Sequence, residues 1–401
     1  MFSSLLSSAL TFLFAAQSPL INHLQFHLRH HHAVTPANRI VFADLDNPPH
    51  ALHLTTTTLQ AHRPSSFSAF TQAIYRSRHH AQSIPLHWSD IDVIGPNVQS
   101  RETLLTLAKM TYNAYSHSRD SDWYEVGSDW NSSYPFGWEP DADGFRGHVF
   151  VSTDNSTVIV SIKGTSAGWI VGGGGPTTHK DKVNDNLLFS CCCARVGPTW
   201  STVCDCYSGN YRCDQTCVEQ SLIDDSLFYP IGTNLYNNVT YMYPNANIWI
   251  VGHSLGGALA SLLGVTFGVP VVAFEAPGEK LAARRLHLPS PPSTQHITHV
   301  YHTADPIAMG TCNGVTSSCA LAGYAMETHC HLGKSIVYDT VNKLNWSVDV
   351  RTHPIGTVIE RVLSSDWNLE NGIEVPMAEA EGEDCDCYNW EYGLFKNTTG
   401  T

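Results

Sequence analysis

The feature that does most to limit how this chain folds is the run Ile250-Val251-Gly252-His253-Ser254-Leu255-Gly256-Gly257. It sets a G-x-S-x-G pentapeptide between an apolar stretch, 247–251, that reads as a short buried strand, and another, 257–267, that reads as a helix packed behind it. A serine in such a strand-to-helix turn stands on strained backbone with its hydroxyl clear of the sheet, and a side chain at either flanking glycine would collide with the turn. The helix that follows aims its N-terminus at the same place, which favours negative charge developing there. Ser254 is therefore the candidate nucleophile.

Other segments supply the sheet that this turn needs. Residues 149–152 and 158–162 read as a hairpin around the turn signal Asp154-Asn155, and 270–275 and 298–302 read as further apolar strands. Helical spacing marks 101–118 and 221–239, while 39–44 and 51–59 read as short strands. Apolar strands alternating with helices predict a parallel sheet covered on both faces. The expected class is α/β: an α/β-hydrolase fold with a mostly parallel central sheet, interrupted by a cysteine-rich insert.

A serine nucleophile needs a base, and the base needs an orienting carboxylate. In this fold they follow in the order Ser, Asp or Glu, His. Asp305 closes the strand-like run before Pro306, and His353 lies downstream on a loop. His329 and His331 are rival bases, Asp339 and Asp349 rival acids. The oxyanion would fall to the N–H of Leu255 and to Thr165 in Gly164-Thr165-Ser166, which offers its N–H and its hydroxyl. Such chemistry calls for no metal and no cofactor. The glycine-rich stretch 172–176 lacks phosphate-loop spacing and reads as a flexible loop near the site.

Composition narrows the partners and the compartment. A net charge of −14 without a Lys/Arg stripe excludes nucleic acid. The 22 histidines would reverse the sign of that charge if all were protonated in an acidic lumen. Singly, runs such as His30 to His32 read as solvated loop residues. The 12 cysteines, dense between Cys191 and Cys217, mean disulfides in the secretory pathway and zinc in the cytosol. An apolar N-terminal run and five N-x-[S/T] sequons, at Asn131, Asn155, Asn238, Asn345 and Asn397, favour the lumen, glycosylation and disulfides.

The Gly-His-Ser-Leu-Gly-Gly run, the Lys163-Gly164-Thr165 turn, Asp305-Pro306 and His353 resemble the class 3 (fungal triacylglycerol) lipase family. The runs 162–168 and 181–196 resemble its fungal autophagy-related vacuolar branch. The resemblance implies a phospholipase and lipase that breaks down membranes of autophagic and multivesicular-body vesicles inside the vacuole. It also implies a single-pass type II glycoprotein delivered through endosomal multivesicular bodies, with Ser254, Asp305 and His353 as charge-relay residues. Its partners would be phospholipid and neutral-lipid membranes; the oligomeric state is left open. The expected division is a signal peptide or signal anchor at 1–28, an N-terminal lumenal region at 29–98 and the hydrolase domain at 99–375. The domain carries the insert at 190–220, which reads as a cover over the entrance, and an acidic tail follows at 376–401. Two alternatives stand beside this reading: a secreted triglyceride lipase or aryl-ester hydrolase, and an inactive lipid-binding protein on a hydrolase scaffold.

Overall fold

The structure is a computed structural model that describes residues 23–34, 39–44, 52–116, 124, 145–152, 154–166, 178–191, 203–224, 228–311, 328–368, 371–382 and 391–395. In chain order its elements are β1 His23–Val34, β2 Ile40–Asp44, β3 Leu52–Pro64, α1 Phe67–His80, β4 Trp88–Pro96, α2 Arg101–Asn113, β5 Arg146–Ser152 and β6 Thr157–Ile162. Next come α3 Thr178–Phe189, β7 Arg212–Asp214, α4 Gln215–Asp224, α5 Phe228–Met242, β8 Asn247–His253, α6 Leu255–Phe267, β9 Val271–Phe274 and α7 Lys280–Arg285. The chain continues with β10 Ile297–His302, β11 Lys334–Tyr338, β12 Glu379–Ala380 and β13 Glu391–Gly393.

Among the described residues, one sheet runs β12-β11-β10-β9-β8-β6-β5-β1-β3-β4, with β2 paired to β1. Its centre, β6-β8-β9-β10-β11, is parallel throughout. The β5–β6 hairpin and the N-terminal strands extend it antiparallel on one side. This is an α/β-hydrolase architecture with a parallel core.

The central strands bury both faces, which is why they read as continuous apolar runs. In β8, Ile248 and Ile250 join the core beneath α6, while Trp249 and Val251 join the core beneath α2. The Trp249 indole N–H, buried with its ring, donates to the Ile94 carbonyl at 2.7 Å. Every residue of α6 is buried. Fully burying a leucine such as Leu262 or Leu263 contributes about 1.5–3 kcal/mol. The helix ends at Gly268, whose φ of 60° lets its N–H close on the Gly264 carbonyl.

Register fixes where the site forms. Ile162 pairs with Gly252 and His253 with Phe274. The C-terminal ends of β6, β8 and β9 therefore lie level, and the residues after each strand meet at one edge.

Two expectations need correction. Residues 29–98 do not form a separate region, because β1 hydrogen-bonds directly to β5 of the hydrolase sheet. Residues 23–28, assigned to the leader, are also part of β1 and pair with β3 and β5, so their backbone is committed to the sheet. The acidic tail contributes strands as well: β12 edges the main sheet, and β13 pairs in parallel with β7 of the insert. Within the insert, disulfides join Cys191 to Cys213 and Cys206 to Cys217, and Cys204 and Cys330 are also disulfide-bonded. Disulfides, not zinc, therefore account for these cysteines. The glycine-rich stretch 172–176, residues 1–22, and the sequons at Asn131 and Asn397 lie outside the described residues. Among the described residues no helix is long and apolar enough to cross a membrane.

The histidines are also placed differently. His30 and His32 are buried strand residues, not solvated ones. Burial pushes His32 down to about 4, His296 to about 4 and His253 to about 3, and lowers His302 as well. His32, His296 and His253 stay neutral in mildly acidic surroundings, so protonation of the whole histidine set does not occur there.

Candidate active site

Ser254 follows β8 and caps α6 with φ 56° and ψ −130°, a conformation that non-glycine residues avoid. The surroundings impose it. The Ser254 N–H donates to the Phe274 carbonyl at 2.9 Å, and Ser254's own carbonyl accepts the N–H groups of Gly257 and Ala258. A Cβ at Gly252 would lie 2.3 Å from the Gly256 carbonyl group, and one at Gly256 would lie 2.3 Å from the Ile162 oxygen. Both glycines are therefore required by backbone contact, as the pentapeptide spacing predicts.

Asp305 lies just past β10 and His353 just past the short turn Val350–Thr352. Asp305 is fully buried and His353 nearly so. The His353 Nδ1–H donates to Asp305 Oδ2 at 2.7 Å, and Asp305 Oδ1 accepts the Ile307 N–H at 2.9 Å. Burial alone would raise the Asp305 carboxyl. The charge and hydrogen bond of His353 outweigh it and hold the group well below the usual carboxylate range. With Nδ1 committed to Asp305, His353 keeps Nε2 as the nitrogen able to take a proton.

A second histidine fixes the first. His253 Nε2–H donates to the His353 carbonyl at 3.0 Å, which leaves Nδ1 to accept from the Tyr115 hydroxyl at 2.7 Å. Burial, and next the charge of His353, keep His253 neutral in this role.

The turn after β6 reaches the same place. A Cβ at Gly164 would lie 3.1 Å from Ser254 Cβ, so the Lys163-Gly164-Thr165 backbone runs directly against the serine. The N–H groups of Thr165 and Leu255 have no protein acceptor among the described residues. The Thr165 hydroxyl, expected as a further donor, is spent on Asp185 Oδ2 at 2.7 Å. The turn is clamped by α3: Asp181 Oδ2 accepts from Ser166 N at 2.8 Å and from Lys163 Nζ at 3.2 Å. Lys163 Nζ also reaches the Gly164 carbonyl at 2.8 Å.

The rivals are engaged elsewhere. His331 hydrogen-bonds to Glu381 and to the Ala276 carbonyl, Asp339 caps the helix Thr340–Leu344, and Asp349 pairs with Arg351. Gly310 packs closely against His329. Among the described residues no cluster of His, Cys, Asp and Glu has the form of a metal site. Sequence reading missed Tyr115, His253 and the α3 carboxylates as members of this site. The spacing of Asp181 and Asp185, one helical turn apart, was the one available signal for the last of these.

Residues 199–310 match the family described as Lipase (class 3). The chain is 61% identical over 287 residues to "Putative lipase ATG15" of Cryptococcus neoformans var. neoformans serotype D (strain B-3501A), covering 71% of this chain and 55% of that one. This chain is a relative of the class 3 lipases. Two further relatives bear the same name. That of Mycosarcoma maydis is 51% identical over 336 residues, covering 81% of this chain and 64% of that one. That of Saccharomyces cerevisiae (strain ATCC 204508 / S288c) is 51% identical over 314 residues, covering 76% and 59%. The chain thus spans less than two thirds of the length of these relatives.

Proposed function

We propose that the chain is a serine ester hydrolase acting on the carboxylic esters of membrane lipids. The observation that carries this reading is the hydrogen bond from His353 to Asp305 beside a serine held on a strand-to-helix turn. Ser254 attacks the ester carbonyl as His353 Nε2 takes its proton, and Asp305 stabilises the imidazolium. The N–H groups of Leu255 and Thr165 receive the oxyanion. One such donor contributes about 2.7–4 kcal/mol to the transition state. His353 then protonates the leaving alcohol, and water releases the acyl group.

The reading extends to place and substrate on the strength of the sequence runs and of the relatives' name. The chain works in the secretory pathway and vacuole, where it degrades phospholipid and neutral lipid of vesicles delivered there. Residues 1–22 serve as leader, either cleaved or kept as a type II anchor. Asn155, Asn238 and Asn345 are exposed and accessible to glycosylation. The disulfide-bonded insert covers the entrance.

Fatty-acid release from phospholipid vesicles at about pH 5, where an exposed histidine is largely charged, tests the reading. The purified protein releases fatty acid and its Ser254→Ala variant does not. Release by neither, with a soluble short-chain ester still cleaved, removes phospholipid as the substrate.

A further inference from the structure

Five ionisable side chains surround the Asp305–His353 pair without a place in the reaction above. They are Tyr115 after α2, His253 at the end of β8, Glu275 after β9, His302 at the end of β10, and Arg361 in the helical segment after His353. Packing alone accounts poorly for Glu275. It is a fully buried acid at the end of an apolar strand, on backbone with φ 44°. Its N–H donates to the Val300 carbonyl at 3.0 Å, which draws the residue against β10 and toward Asp305.

Glu275 and Asp305 are both fully buried and both lie against His302, whose N–H reaches Glu275 Oε2 at 3.4 Å and whose carbonyl accepts the Asp305 N–H at 3.1 Å, so the two acids are neighbours. Two such groups side by side do not both ionise, so one keeps its proton. The hydrogen bonds decide which. Asp305 accepts two N–H groups, from His353 at 2.7 Å and from Ile307 at 2.9 Å. Glu275 accepts one, from the His302 N–H to Oε2 at 3.4 Å. His302 Nε2 is 3.8 Å from Glu275 Oε1 and bonds instead to the Thr352 carbonyl at 3.2 Å. Oε1 is buried and has no hydrogen-bond partner among the described residues.

The geometry points to Glu275 as a positioning residue of the charge-relay pair: its carboxyl O–H donates to Asp305 and shares the aspartate's charge with His353. Burial, with the negative charge of Asp305 next, pushes Glu275 well above the usual carboxylate range and keeps that proton in place. Sharing weakens the pull of Asp305 on the imidazolium proton, so the base is free at lower pH than a lone aspartate allows. The proton stays on Glu275 throughout; the only transfers are Ser254 to His353 and His353 to the leaving group.

This inference rests on the proposed triad, and the test separates the two. The acid limb of kcat/KM on a soluble ester is measured for the wild type, Glu275→Gln, Glu275→Leu and Ser254→Ala, with thermal melting to confirm folding. The amide of Glu275→Gln still donates, so its acid limb coincides with that of the wild type. Glu275→Leu moves the limb upward by roughly one pH unit, about tenfold in rate on that limb. Infrared difference spectra of wild type against Glu275→Gln at neutral pH show a protonated carboxylic-acid C=O band belonging to Glu275, a measurement independent of activity and available even if Glu275→Leu fails to fold. Unchanged limbs in both variants, equal shifts in both, or no acid band overturns the role of Glu275. Activity retained by Ser254→Ala overturns the triad reading instead.

Discussion

Gly164→Ala tests how closely the turn after β6 is tied to the nucleophile. A Cβ at this position lies 2.2 Å from the Tyr115 hydroxyl and 2.3 Å from the His253 carbonyl. The hydroxyl ends a side chain and can swing away. The carbonyl cannot, because β8 is held between ladders to β6 and β9. Carbon settles against a carbonyl oxygen at about 3.3 Å, so the 164–165 backbone must retreat by roughly 1 Å. Displacing a catalytic donor by about 1 Å costs on the order of 100-fold in rate. Overpacking costs about 1–3 kcal/mol in stability. The assay is kcat/KM on a short-chain ester alongside the melting temperature. Adding Tyr115→Phe relieves only the hydroxyl contact and does not restore the rate. A Gly164→Ala protein with wild-type kcat/KM would refute the placement of this turn as the oxyanion loop.

Lys163→Met removes the ammonium that pairs with buried Asp181 at 3.2 Å and lowers stability by about 3–5 kcal/mol in denaturant unfolding; a loss within error of zero contradicts the buried pair. Replacing Cys191 and Cys213 together by serine opens a loop whose ends are 22 residues apart and costs about 3 kcal/mol by the same measurement. The His331–Glu381 bridge makes stability pH-dependent. Burial opposes both charges, but their mutual hydrogen bond wins, raising His331 above 6.5 and lowering Glu381 below 4.5. Its contribution is full between pH 4.5 and 6.5, is lost as pH rises through the His331 value and is lost again as pH falls through the Glu381 value. The melting-temperature gap between wild type and Glu381→Gln is therefore widest in that window and closes toward alkaline pH; a constant gap contradicts the bridge.

What the sequence disclosed and what it hid follow from the range of the interactions. The parallel core was legible because strands buried on both faces leave unbroken apolar runs, as in β8 and β9. The turn at Ser254 was legible because Gly252 and Gly256 answer to backbone contacts only a few residues away. Asp305 and His353 followed from chain order and from strand-end position. The N-terminal strands were harder to read, since β1 is rich in histidine and joins the hydrolase sheet by pairing with β5, more than 100 residues downstream. Tyr115, Glu275 and Asp181 join the site through contacts that no local pattern encodes. The Thr165 hydroxyl was assigned to the wrong partner because its competitor, Asp185, sits on a separate helix.

The central claim, that Ser254 is a nucleophile activated by His353, is tested most directly by labelling with a fluorophosphonate ester and mapping the modified peptide. One stoichiometric adduct forms, on Ser254, with labelling abolished in Ser254→Ala and severely slowed in His353→Ala. An adduct on another residue, or undiminished ester turnover by Ser254→Ala, would contradict it.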